Sequence, residues 1–127
     1  MKNHAAPWFE LVGKPYKFPS EPPASFDCWT LVKHVRAAMG LPCPLPFDDQ
    51  AEWCVPGNLA RATEAARPLW RVRNPGCDFD MVVLEPAHVG IALSGGVLHA
   101  LARNASVVWT SPPALRRHWP KAEWWTA

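Results

Sequence analysis

Between Leu69 and Ser111 the chain passes through five short segments rich in β-branched residues: "LWRVR", "DMVVLE", "HVGIAL", "GVLHAL" and "SVVWTS". Turn-forming residues separate them, so each reads as a strand. The "SGG" at 94–96 marks a hairpin between two of them. A second half committed to short strands must have its apolar face covered by the first half, and the first half supplies helix. Cys28, Leu31, Val32, Val35, Ala38 and Met39 fall on one helical stripe of about three turns. Asp27 is a good N-cap, Gly40 a good residue just past the end, and Pro42 stops any continuation. A second helix is expected over about 58–67, from Asn58 to just before Pro68. After Pro112 and Pro113, "ALRRHW" reads as a short helix and "AEWWT" as a last strand or cover. Helices followed by a meandering antiparallel sheet is the α+β order.

The 15 prolines cluster in 15–23, 42–46 and 112–120, so irregular segments must pack over this centre. Residues 1–26 are a proline-rich lead-in with a short apolar turn at Trp8–Val12. Residues 41–57 are a loop in which "DDQAEW" can make one helical turn. A chain of 127 residues is one domain, residues 1–127, large enough to bury a core without staples. A net charge of +2 with scattered basic residues argues against a nucleic-acid partner. No run of about 18 apolar residues occurs, which argues against a membrane. The first residues lack an apolar stretch of signal-peptide length, so synthesis in the cytoplasm is expected.

Cys28, Cys43, Cys54 and Cys77 are 15, 11 and 23 residues apart, with no C-x-x-C pair and no ligand-like histidine spacing. That pattern speaks against zinc, iron–sulfur or any other metal cofactor. Cys28 stands apart from the other three because it opens a helix. There, unpaired N–H groups and the positive end of the dipole favour thiolate, the nucleophilic form. Asp27 opposes this unless its carboxylate is occupied in capping.

A base is then needed, and five histidines are candidates. His4 lies in the N-terminal lead-in, His118 among Arg116, Arg117 and Trp119, and His34 well off the helical face of Cys28. For these three a surface or interface position is expected. His88 and His99 fall in consecutive strands. In "HVGIAL" the residues Val89, Ile91 and Leu93 make an apolar face, while His88, Gly90 and Ala92 make a face without bulk on which the Cys28 helix would fit. A tight turn at Gly95-Gly96 pairs Ala92 with His99. His88 then lies four residues along, about 13 Å away, so contact between the rings requires a wider loop, a bulge or strong coiling. Two unrelated histidines on a strand pair is the plainer alternative.

These residues also carry a resemblance. "GKPYKFPSEPPASFDCWTLV", "DFDMVVLE", "HVGIAL" and "GVLHAL" follow, in order, the motifs of the NlpC-type cell-wall peptidases, a papain-like family. Tyr16 lies twelve residues before Cys28, as the family's tyrosine does. The "FDCW" pairing is most similar to the phage-tail branch, that of the tail assembly protein K. The resemblance covers about residues 13–119, leaving 1–12 as a lead-in.

It implies a papain-like fold with the Cys-bearing helix packed on a small antiparallel sheet. It further implies Cys28 as nucleophile, His88 as base and then acid, His99 as the residue orienting His88, and Tyr16 at the oxyanion or substrate. No cofactor is implied. The implied substrate is an amide of the peptidoglycan stem peptide, commonly that from D-γ-glutamate to diaminopimelate. The implied setting is a phage tail acting at the bacterial wall, with other tail-tip proteins as partners. Three positions depart from the family: Trp29 and Thr30 stand where small residues are usual and so are candidates for narrowing the groove, and Phe79 stands where glycine is usual. A structural tail component with the same fold and little activity is the alternative function. A contractile secretion-system effector would also satisfy the implied chemistry.

Overall fold

Asp27 starts the first α-helix, α1 (Cys28–Ala38), through a reciprocal capping box. Its Oδ1 accepts the Thr30 N–H at 3.0 Å, and Thr30 Oγ1 accepts the Asp27 N–H at 3.0 Å. Two otherwise orphaned donors are satisfied by this exchange, with threonine in the role usually filled by Glu or Gln. At the other end Met39 is the C-cap and Gly40 follows with φ +71°, as the sequence predicts. The computed structural model describes residues 6–18, 20–44, 58–74, 76–85 and 88–127. His4, Cys54 and the turn expected at "DDQAEW" lie outside the described residues.

The remaining elements follow the expected order. A 3-10 turn spans Ala6–Leu11, α2 is Asn58–Ala66, and a 3-10 turn at Arg67–Leu69 follows it. The strands are β1 (Arg71–Arg73), β2 (Met81–Glu85), β3 (His88–Leu93), β4 (Gly96–Leu101), β5 (Ser106–Thr110) and β6 (Glu123–Thr126). A 3-10 turn at Ala102–Asn104 joins β4 to β5, and α3 (Pro112–His118) precedes β6. The fold is therefore α+β, with six antiparallel strands in the order β1-β6-β2-β3-β4-β5.

This is not a simple meander. Only β2 to β5 run in sequence order; β6 inserts between β1 and β2, pairing Trp125 with both Val72 and Met81. Burial explains the insertion, since Trp125 is fully buried in the core that includes Trp70 and Met81. Trp119 is also nearly buried. Trp119 and Trp125 are thus both used inside the fold.

The sheet is covered on both faces. Leu31, Val32 and Val35 of α1 and Ala62 and Ala66 of α2 pack with Val89, Ile91, Leu93, Leu98 and Ala100. On the opposite face Leu115 of α3 and Trp119 pack with Val82, Leu84, Ala92 and Val97. The Cys28 helix thus lies on the bulky face of β3 and not on the His88–Gly90–Ala92 face. An amphipathic stripe gains most by covering the largest apolar area, and that area is on the Val89–Leu93 side.

At Phe79 the backbone is left-handed, with φ +72°. A non-glycine residue there costs about 1–2 kcal/mol, and the surroundings hold it. Phe79 is buried, its N–H donates to Ala92 O at 2.7 Å, and its carbonyl accepts from the buried Arg36. Asp80, next in the chain, accepts from Arg73 through both carboxylate oxygens and from the Cys77 N–H. No helix among the described residues is long and apolar enough to cross a membrane.

Candidate active site

The hairpin between β3 and β4 turns on Ser94 and Gly95, not on Gly95 and Gly96. Both turn residues have positive φ, 50° and 80°, the conformation a two-residue hairpin with right-handed twist requires. Gly96 instead begins β4, where a Cβ would fall 2.3 Å from Thr110 O. The register is therefore Ile91 to Leu98, Ala92 to Val97 and Leu93 to Gly96.

Moving the turn back by one residue moves His99 from opposite Ala92 to opposite Gly90. The gap to His88 shrinks from four residues to two, a diagonal that long side chains span. No wider loop is needed. His88 Nε2 and His99 Nδ1 are 2.7 Å apart, with ring centroids at 5.0 Å. Gly90 is what makes room: a Cβ there would meet Val97 Cγ1 at 2.6 Å and His99 Cβ at 2.8 Å.

His99 is fully buried, and its Nε2 lies 2.7 Å from Thr110 Oγ1 on β5. The chain of contacts is Thr110, His99, His88. Burial drives both rings toward the neutral form. His88 is pushed down to about 4, by desolvation first, with Arg103 adding and Glu85 opposing. His99 is pushed down to about 3 by desolvation, then by His88 and Arg103. With both neutral, one proton arrangement leaves a base at the cavity. His88 Nε2–H donates to His99 Nδ1, His99 Nε2–H donates to Thr110 Oγ1, and His88 Nδ1 keeps its lone pair.

Trp119 closes this face. Its ring meets His99 edge-on at 5.3 Å and lies 6.3 Å from His88, while its Nε1–H donates to Glu85 at 2.9 Å. Glu85 is brought opposite His88 by an irregularity in the β2–β3 register between Val83 and Glu85. A bulge of this kind re-aims side chains at the end of a strand pair.

Cys28 reaches the same place from the other face of the sheet. The backbone N–H groups of Val89, the residue after His88, and of Trp29 and Cys28 lie near its thiol and favour the thiolate form. His88 is the first residue of β3, so side chains from both faces meet in the cleft beyond that end. Tyr16, Cys28, Glu85, His88, Arg103, His118 and Trp119 are among the residues that wall this cavity of about 360 Å³.

The helix start does pull the thiol toward ionisation, but the net result is the reverse of the sequence expectation. Cys28 is 4% exposed, and burial, aided by Asp27, pushes its thiol up to about 12. Desolvation of a thiolate outweighs three N–H donors here. Cysteine and histidine accordingly rest as thiol and imidazole.

No family model, curated protein or solved structure matches this chain. The site must be read from its own chemistry.

Of the residues expected at the site, Tyr16, Cys28 and His88 wall one cavity, and His99 stands behind His88. Trp29 and Thr30 do not wall it. Trp29 is buried in the α1 core, and Thr30 is turned to Asp27 and to Ser20, whose Oγ donates to it at 2.7 Å. His34 stacks edge-on against Trp8 and Phe26, away from the cavity. His118, expected on the surface, is exposed but does wall the cavity. Thr110, Glu85, Arg103 and Trp119 are not among the residues expected at the site. Their local sequence carries no periodic or motif signal for a site; only the sheet order brings them together.

Proposed function

We propose that the protein is a papain-like cysteine peptidase of NlpC type, cutting an amide in the peptidoglycan stem peptide as part of a phage or prophage tail. The observation that carries this reading is one cavity walled by a helix-start cysteine and by a histidine whose far nitrogen is held by a second histidine. The ordered motifs from Tyr16 to His99 support the family and the substrate class.

Because both groups rest neutral, His88 acts as a general base during attack. Cys28 Sγ bonds to the amide carbonyl carbon as the thiol proton passes to His88 Nδ1. The oxyanion forms near the N–H groups at the start of α1 and near Tyr16. Collapse breaks the C–N bond, and His88 returns its proton to the leaving amine. Water, deprotonated by His88, then hydrolyses the thioester, which gives a carboxylic acid and restores the thiol. His99 keeps the Nε2–H of His88 engaged throughout, the orienting part filled elsewhere by a carboxylate or amide.

Purified protein and its Cys28→Ala variant, incubated with muropeptides under reducing conditions from pH 5 to 9 and followed by mass spectrometry, test this. Cleavage by the parent alone is expected. Cleavage that survives Cys28→Ala removes the nucleophile assignment, and no cleavage by the parent removes the peptidase reading. The 4% exposure of Cys28 and its raised pKa favour the second reading, a structural tail component that keeps the fold. That reading expects no cleavage together with binding to other tail-tip proteins.

A further inference from the structure

Opposite charges stand on either side of His88. At this end of the sheet the neighbouring strand ends are β2, β3 and β4, in that order. Glu85 closes β2 directly opposite His88, and Arg103 sits in the turn just after β4. Both wall the cavity that holds Cys28. Both are exposed, so neither charge is needed for burial. Among the described residues Arg103 enters no ion pair. Glu85 is aimed by the bulge and fixed by the Trp119 Nε1–H at one oxygen. Arg103 also walls a second cavity of about 450 Å³, bounded in addition by Trp109, Ser111 and His118. The two cavities share Leu101, Arg103, His118 and Trp119, so the cleft beside Cys28 adjoins a second groove with Arg103 at the junction.

We propose that this cleft selects a dipolar peptide, one carrying a carboxylate on the Arg103 side of the reacting carbonyl and an ammonium on the Glu85 side. The proposal rests on the peptidase reading for the word "reacting" but not for the binding itself. A guanidinium with no ion pair among the described residues is a natural carboxylate fork. Glu85 across the cleft repels a second carboxylate, so the charge pair fixes which way the peptide lies. The groups facing His88 are Glu85 from β2, His99 from β4, Arg103 after it, His118 and Trp119 from the α3 side, and Cys28 and Tyr16 from the α1 side. Arg103 disfavours charge on the His88 ring and Glu85 favours it. A carboxylate bound at Arg103 therefore offsets the unfavourable charge and eases proton transfer from Cys28.

Charged and neutral alkylating probes test the groove without any need for peptidase activity. Iodoacetate, iodoacetamide and 2-bromoethylamine are reacted with the reduced full chain, and modification of Cys28 is read by peptide mass spectrometry. Arg103→Gln is expected to lower the iodoacetate-to-iodoacetamide rate ratio at Cys28 about tenfold, with Arg103→Lys keeping most of it. Glu85→Gln, which preserves the acceptor for Trp119, is expected to lower the 2-bromoethylamine ratio about threefold. Salt near 1 M should shrink both ratios. Ratios that stay within about twofold of the parent in both variants overturn the proposal, and movement of one without the other overturns its dipolar form. If the ratios respond but muropeptides are not cut, the peptidase reading fails and the charged groove stands. If muropeptides are cut equally well with that carboxylate free or amidated, the peptidase stands and the groove assignment fails.

Discussion

On the α1 face, β3 and β4 present Val89, Ile91, Leu93, Leu98 and Ala100, all closed off from solvent. On the α3 face the same two strands present His88, Gly90, Ala92, Val97 and His99. One face is bulk against bulk and holds the fold. The other has a glycine where bulk would be, two hydrogen-bonded rings in the space, and one seven-residue helix with Trp119 as cover. Alternation along a strand lets one segment serve both purposes, because each residue answers only to its own side. The cost falls on the second face, where buried polar atoms must find partners; His99 finds both of its own.

The contrast can be broken first by Ile91→Ala, on the bulky face. We expect a loss of about 3 kcal/mol in unfolding free energy, read by denaturant titration. A loss below about 1 kcal/mol would show that this face is not the main core. His99→Gln, on the other face, should cut muropeptide cleavage about a hundredfold, equivalent to about 2.7 kcal/mol of barrier, measured where the variant is still fully folded. Equal cleavage by this variant would remove the orienting role.

Protons distinguish the faces next. Burial pushes His88 and His99 down to about 4 and about 3 in the folded chain, below the ordinary 6.5. The unfolded chain therefore takes up protons first as pH falls. The histidine face contributes its full stability above about pH 6.5 and loses it toward pH 4, by about 2 kcal/mol once solvent contact at His88 is discounted. Denaturant titrations at pH 7 and 4.5 should show the fall, and His99→Gln should flatten it; an unchanged slope in that variant would place the titration elsewhere. The smallest effect belongs to Thr110→Val, which removes one partner of His99 and should cost about 1 kcal/mol. Full stability in Thr110→Val would mean that His99 needs no partner at Nε2.

How much of this was legible beforehand depended on whether the signal was local. The start and stop of α1 were written in Asp27, Gly40 and Pro42, and the strands in their β-branched runs. The turn was misplaced by one residue. "SGG" allows two hairpins, and the close approach of Thr110 O is what reserves Gly96 for the strand. That single step separates histidines out of reach from histidines in contact. Arg103, Glu85 and Thr110 carried no signal, since what places them beside His88 is sheet order and a bulge.

The sequence by itself determined the elements, because caps, turns and periodicity act over a few positions. Its resemblance to the NlpC-type motifs pointed to Cys28, His88, His99 and Tyr16 as candidates. Only the tertiary structure decided that α1 takes the bulky face, that β6 inserts beside β2, and that thiol and imidazole rest neutral. Those outcomes follow from burial, which depends on segments far apart in the chain competing for the same apolar area and excluding water from the same groups.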